Sequence, residues 1–245
     1  MTIKDDFLSV DIAAKSFASA NGDPVAVLKD LSFNLPAGRF TCMIGPSGCG
    51  KTTTLGILLG LDANYEGAID PAFGELRIGA VFQEPRLLPW RSVEDNVRLA
   101  LPDALAGGDL TDLFGQVGLA EFRNAFPAEL SLGMARRAAL ARAFAIEPEI
   151  LVLDEPFVSL DEATANRLRD GLAGLLAERP ATVLMVTHNI REAVRLADHL
   201  LIFSDRPAHL VDAVDIDLPA GARSGEPAEA FIRTLENRHP GLVRL

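Results

Sequence analysis

A chain of 245 residues, 49% of them apolar, can bury a core of its own and suits one domain with a subdomain inserted. Its 34 acids against 23 bases leave a net charge of −11, which argues against nucleic acid or anionic lipid as a bulk partner, because both attract clustered Lys and Arg. No apolar stretch approaches the ~18 residues of a membrane span, and the two cysteines, Cys42 and Cys49, make no disulfide framework.

The opening, MTIKDDFLSV, lacks the basic-then-apolar layout of a signal peptide, so the chain reads as cytoplasmic. The stretch to about Leu35 alternates apolar with polar residues and carries a turn at Asn21-Gly22-Asp23-Pro24. It predicts antiparallel β-structure. Next comes a continuous apolar run, Phe40 to Ile44, expected of a strand covered on both faces. It leads into Gly45-Pro46-Ser47-Gly48-Cys49-Gly50-Lys51-Thr52, which fits G-x-x-x-x-G-K-[ST]. Glycines at these places let successive N–H groups turn inward on phosphates. Lys51, expected to be exposed to ligand rather than packed, reaches the β- and γ-phosphates, and the Thr52 hydroxyl is placed to ligate Mg²⁺. TTTLGILLGL then reads as a helix whose N-terminus adds partial positive charge, with Thr53 in its first turn.

LRIGAVFQ is a second buried-strand candidate, and Gln83 stands at its end. Between Pro85 and Pro148 the pattern turns helical. Ser92-Val93-Glu94-Asp95 is a helix start, followed by Val93, Val97 and Leu101 at one-turn spacing. Met134 to Ala145 is Ala- and Arg-rich, with Ala138, Ala141 and Ala145 at helical spacing. EILVLDEP ends a further strand in two acids. Asp154 suits a metal, and Glu155 suits a water that attacks phosphorus. TVLMVTH ends another strand in His188, which can hydrogen-bond a γ-phosphate; Gln83 can offer its amide oxygen to Mg²⁺ or to water. His199, His209 and His239 show no metal-ligand spacing and read as solvated or structural. After Pro219 a loop precedes a short final helix. The pattern is that of an α/β fold, a P-loop nucleoside triphosphatase core with a largely parallel sheet, an antiparallel N-terminal region and an inserted helical subdomain. Residues 1–85 and 149–220 form the core, 86–148 the helical subdomain and 221–245 the tail.

The ordered set of phosphate loop, Gln83, Leu130-Ser131-Leu132-Gly133-Met134, Asp154-Glu155, Ser159-Leu160-Asp161 and His188 resembles the ATP-binding subunit of ABC transporters, over nearly the whole chain. The resemblance implies a homodimer in which the signature segment faces the ATP held by the opposite protomer. Ser131, the Gly133 amide and Met134 then lie at the trans ATP, and Asp161 lies in a loop linking the two sites. It also implies that adenine stacks on Phe17, that Gly45 to Thr53 hold the ATP, and that Thr52, Gln83 and Asp154 serve Mg²⁺. Leu132 departs from the usual first Gly of the signature, Met134 and Arg136 from frequent Gln, and Val158 from Ser; Arg137 is kept.

QEPRLLPWRSVEDNV and SDRPAHLVDAVDIDLP are similar to the corresponding segments of nitrate, sulfonate and taurine importers, although Ala220-Gly221-Ala222 stand where basic residues are usual. Trp90 and Leu88 suit either the docking of a membrane subunit or the core of the insertion itself. The expectation is an ATPase on the cytoplasmic face of the membrane. It is joined to membrane-spanning permease subunits and, through them, to a solute-binding protein; it binds no nucleic acid. A soluble ABC-type ATPase, or an ATP sensor with slow turnover on account of Leu132, is the alternative.

Overall fold

The computed structural model describes residues 6–18, 22–72 and 74–243. In chain order the elements are β1 (Asp6–Ala18), β2 (Pro24–Pro36), β3 (Phe40–Ile44), α1 (Lys51–Leu58), β4 (Glu66–Asp70) and β5 (Ile78–Val81). Then come α2 (Val93–Arg98), α3 (Thr111–Gln116), α4 (Leu132–Ala145), β6 (Ile150–Asp154), α5 (Glu162–Glu178) and β7 (Thr182–Val186). Last are α6 (Ile190–Leu196), β8 (His199–Phe203), β9 (Leu210–Asp215) and α7 (Glu226–Arg238). They fall into two compact units, Met1–Leu76 with Thr182–Leu245, and Arg77–Ala181.

In the first unit β1 pairs antiparallel with β2, Val10 opposite Phe33 and Ile12 opposite Leu31. Alternation works as the period of a strand requires: Leu8, Val10 and Ile12 are buried, as are Leu31, Phe33 and Leu35. Asn21 of the expected turn lies outside the described residues. β4 adds to the free edge of β1. β3 lies parallel to both β7 and β8, Cys42 opposite Met185 and Met43 opposite Leu201. Every residue of β3 and β7 is buried. β9 pairs antiparallel with β8 and alternates half-buried with exposed positions, which makes this sheet mixed.

In the second unit β5 and β6 run parallel, Ile78 opposite Ile150 and Val81 opposite Leu153. α4 buries Phe144 and, beside it, Ala138, Ala139, Ala141 and Ala143, whose small side chains allow close helix packing. α2 begins where expected, with the Ser92 hydroxyl accepting from the Asp95 amide at 3.1 Å. It ends at Arg98, so Leu101 is not on it; the helical turn fails just before Pro102, whose ring disfavours helix at the preceding residue. Among the described residues no helix is long and apolar enough to cross a membrane.

Candidate ATP site

The first unit carries the phosphate loop between the end of β3 and the start of α1. Gly50 is the N-cap of α1 at φ 136, and a Cβ there would stand 2.6 Å from Leu28 Cδ2, so only glycine fits the bend. Ser47, Gly48 and Thr52 are exposed and Thr53 half-buried, leaving the rim open to a ligand. Lys51 differs from expectation. It is only 6% exposed, and its ammonium donates to the Gly45 and Pro46 carbonyls, both at 2.8 Å. An unpaired ammonium at a buried position costs free energy, and these carbonyls, with the Cys49 sulfur at 3.9 Å, supply its acceptors. Cys49 and Cys42 are free and buried, and burial pushes the Cys42 thiol far up.

Pro46 O also accepts from the Cys49 amide at 3.3 Å. On the outer side of the loop, Arg206 donates to Gly48 O at 2.6 Å. The sequence had marked the SDRP segment only as a group likeness; nothing local to it points back to the loop. His188 lies exposed just past β7, where Asn189 caps α6 by accepting from the Arg191 and Glu192 amides. Phe17, on β1, is 46% exposed, with the Lys15 ammonium 4.5 Å from its ring centroid. Lys15 is itself buried and paired to Asp62 at 2.6 Å, which holds that carboxyl below its usual range. The remaining histidines have structural partners: His199 with Asp215, His209 with Ser204 and His239 with Asp212.

The second unit carries the two acids. Asp154 is the buried last residue of β6, and Glu155, half-buried, turns the chain at φ 47, a strained conformation for a residue with a side chain. Gln83 is exposed beyond the end of β5. Buried Arg136, on α4, donates to Pro156 O at 2.9 Å and to Gln83 O at 3.4 Å, and so ties both segments to one helix. Ser131 is the N-cap of α4, its hydroxyl accepting from the Met134 amide at 3.3 Å. Leu132 is 45% exposed and Met134 half-buried. Gly133 is buried, and a Cβ on it would lie 2.4 Å from Thr164 Cγ2, so close packing of α4 on α5 requires glycine there. Asp161 is exposed and caps α5 by accepting from the Thr164 amide at 3.0 Å, which lowers its pKa.

The segment after Gln83 is held by Asn96, 1% exposed, whose side chain accepts from Leu88 N at 2.6 Å and donates to the Leu88 and Arg91 carbonyls. Trp90 stands out of this clamp at 70% exposure, which rules out its packing in the core of the insertion; Leu88 is half-buried.

The profile described as ABC transporter matches residues 28–158, just over half of the chain. An aliphatic sulfonates import ATP-binding protein SsuB of Bacillus licheniformis is 38% identical over 92% of this chain and 91% of its own length. One of the same name from Xanthomonas axonopodis pv. citri is 39% identical over 92% of each. Among solved structures, the ATP-binding cassette MJ0796, as a post-hydrolysis dimer bound to ADP and Pi, superposes with a TM-score of 0.73 at 27% identity, covering 87% of this chain and 100% of that one. With its phosphate loop, paired acids and signature helix, the chain belongs to the ABC transporter family, as an ATP-binding and ATP-hydrolysing cassette.

Proposed function

We propose that this chain hydrolyses ATP to drive a solute importer of the nitrate, sulfonate and taurine type, working as a homodimer on the cytoplasmic face of the membrane against two permease subunits. The observation that carries this is likeness to named import subunits along 92% of the chain. A solute-binding protein delivers the solute to the permease. In cells that own this gene, its deletion abolishes growth on an aliphatic sulfonate as sulfur source while growth on sulfate persists. Undiminished growth on sulfonates overturns the sulfonate assignment.

Lys51 exchanges its two backbone acceptors for the β- and γ-phosphate oxygens, and the loop amides close on the same phosphates. Adenine stacks on the exposed face of Phe17. Thr52, Gln83 and Asp154 are hard oxygen donors, the kind Mg²⁺ takes alongside substrate phosphates. Thr52, exposed in the first unit, and Asp154, at a strand end in the second, each carry such an oxygen. When bound, the ion neutralises charge developing on the phosphate oxygens. Glu155 orients the attacking water and takes its proton, and His188 donates to the γ-phosphate. From the partner protomer, Ser131 and the Gly133 amide reach the γ-phosphate beside Met134, and Asp161 links the two sites. For Ser131, the hydroxyl keeps its lone pair on the Met134 amide and donates its proton outward.

Leu132 follows from this arrangement. Its side chain is half in solvent at the first position of α4, so it adds bulk beside the trans phosphate and little to the core. Leu132→Gly raises or preserves the hydrolysis rate, measured by phosphate release at saturating ATP. A large fall in kcat assigns Leu132 to shaping the helix start.

The Gln83-to-Asn96 segment is the docking surface for the permease. Trp90, flanked by Pro89 and fixed through Asn96, has the size and exposure of an interface anchor worth about 2 kcal/mol or more. Trp90→Ala leaves ATP binding and the melting temperature of the free subunit near the parent's but weakens co-purification with the permease by more than about tenfold. Normal assembly moves the docking site elsewhere.

A further inference from the structure

The guanidinium of Arg136 is an expensive object. It is 2% exposed, no carboxylate pairs with it among the described residues, and its Nε lies buried without a hydrogen-bond partner there. Burial alone pushes its pKa down. A buried cation in such surroundings is a poor source of stability, and apolar replacements of buried charges are often neutral or stabilising. What Arg136 does have is position. One arm donates to the carbonyl of Pro156, next to Glu155, and the other to the carbonyl of Gln83. From the same helix Arg142 donates to the Pro85 and Arg86 carbonyls, both at 2.8 Å. α4 therefore grips the segment after β5 at three carbonyls and the turn after β6 at one, while its N-terminus is Ser131. A Gln amide at position 136 would present both donors from one nitrogen, two bonds nearer the backbone. A guanidinium spans two separate acceptors in a fixed fork.

We propose that Arg136 is a positioning residue for hydrolysis: it fixes the Glu155 turn and the Gln83 segment to one rigid helix, so that displacement at the Ser131 end of α4 moves both together. This rests on Glu155 and Gln83 serving the γ-phosphate. It makes a cassette whose two catalytic segments shift as a unit, where one held by a shorter side chain lets them shift apart.

The test uses the full chain with Arg136→Met, Arg136→Gln, Arg136→Lys and, as control, Glu155→Gln. Trp90 is the single tryptophan of the chain and lies in the gripped segment, so its fluorescence reports that segment on addition of Mg·ATP. Arg136→Met lowers kcat about ten- to hundredfold, the scale of a misplaced catalytic group, with KM for ATP within about twofold. Its melting temperature stays near the parent's, because removing the buried charge offsets the donor lost by the Pro156 and Gln83 carbonyls, and the ATP-induced change in Trp90 emission is lost. Arg136→Gln falls between, and Arg136→Lys recovers part of both kcat and the Trp90 response. A parental kcat in Arg136→Met overturns the proposal. So does a loss of kcat in all three variants that tracks lowered melting temperatures while the Trp90 response stays parental, or a Trp90 emission in the parent that ATP does not alter. If Glu155→Gln also hydrolyses at the parental rate, the assignment of Glu155 has failed and takes the inference with it; a slow Glu155→Gln beside a parental Arg136→Met overturns Arg136 alone.

Discussion

Lys51→Ala abolishes productive ATP binding. A charge-assisted hydrogen bond to phosphate contributes ~1.5–3 kcal/mol, so losing one weakens binding about ten- to hundredfold, and Lys51 is proposed to address two phosphates. The structure adds a second consequence. The ammonium is buried and is the donor to two loop carbonyls, at Gly45 and Pro46. Removing it leaves Gly45 O without that donor and Pro46 O with the Cys49 amide alone, a cost of about 1–3 kcal/mol where water does not replace it. The variant therefore melts a few degrees below the parent even without nucleotide, and the addition of ATP no longer raises its melting temperature. Isothermal titration with Mg·ATP beside a thermal melt checks both. Parental affinity with a native circular dichroism spectrum overturns the assignment of the phosphate loop.

The melting arm of that result was not legible in the sequence. G-x-x-x-x-G-K-[ST] tells where the lysine is and what it meets when ATP is bound. It says nothing of where the side chain rests otherwise, because its acceptors are backbone carbonyls brought round by the loop's own curvature. The central strands were legible for the opposite reason. β3, β6 and β7 are buried on both faces, so their residues form unbroken apolar runs that advertise themselves. β4 is an exposed edge of sequence EGAID, and β9, LVDAVD, carries two acids among its apolar residues on another edge; neither buries enough to leave a run. β8, HLLIF, is buried from Leu200 to Phe203 and begins three residues after α6 ends, too short and too close to the helix to stand out as a strand. The start of α2 was legible because a cap is local: Ser92 bonds to an amide three residues on. Ser131 and Asp161 make the same bond at the same spacing, but in the sequence they read as residues with roles at the nucleotide instead. Arg136 and Arg206 were not legible, since each acts on a carbonyl far along the chain, and no spacing rule links residue 136 to 83 or 206 to 48.

Glu155→Gln binds Mg·ATP and retains it. The substitution keeps the size of the side chain and its capacity to orient a water through the amide oxygen, but removes the group that takes the proton. General-base assistance contributes typically 10²- to 10⁴-fold, so kcat falls by about that factor while the affinity for ATP stays near the parent's. Asp154, one residue earlier and buried at the end of β6, keeps the carboxylate proposed for the metal. The backbone at position 155 is held at φ 47, and a Gln incurs about the same strain there as a Glu, so the turn survives the change. On the proposal that ATP closes the homodimer and its cleavage releases it, slowed hydrolysis with intact binding makes the closed ATP-bound dimer accumulate. Size-exclusion chromatography in Mg·ATP then shows a dimer for the variant, where the parent returns to monomer as ATP is consumed; ADP gives monomer for both. Hydrolysis at the parental rate excludes Glu155 as the base. A monomer that binds ATP tightly and does not hydrolyse it keeps Glu155 as the base but removes the trans site, and with it the roles assigned to Ser131, Gly133 and Asp161.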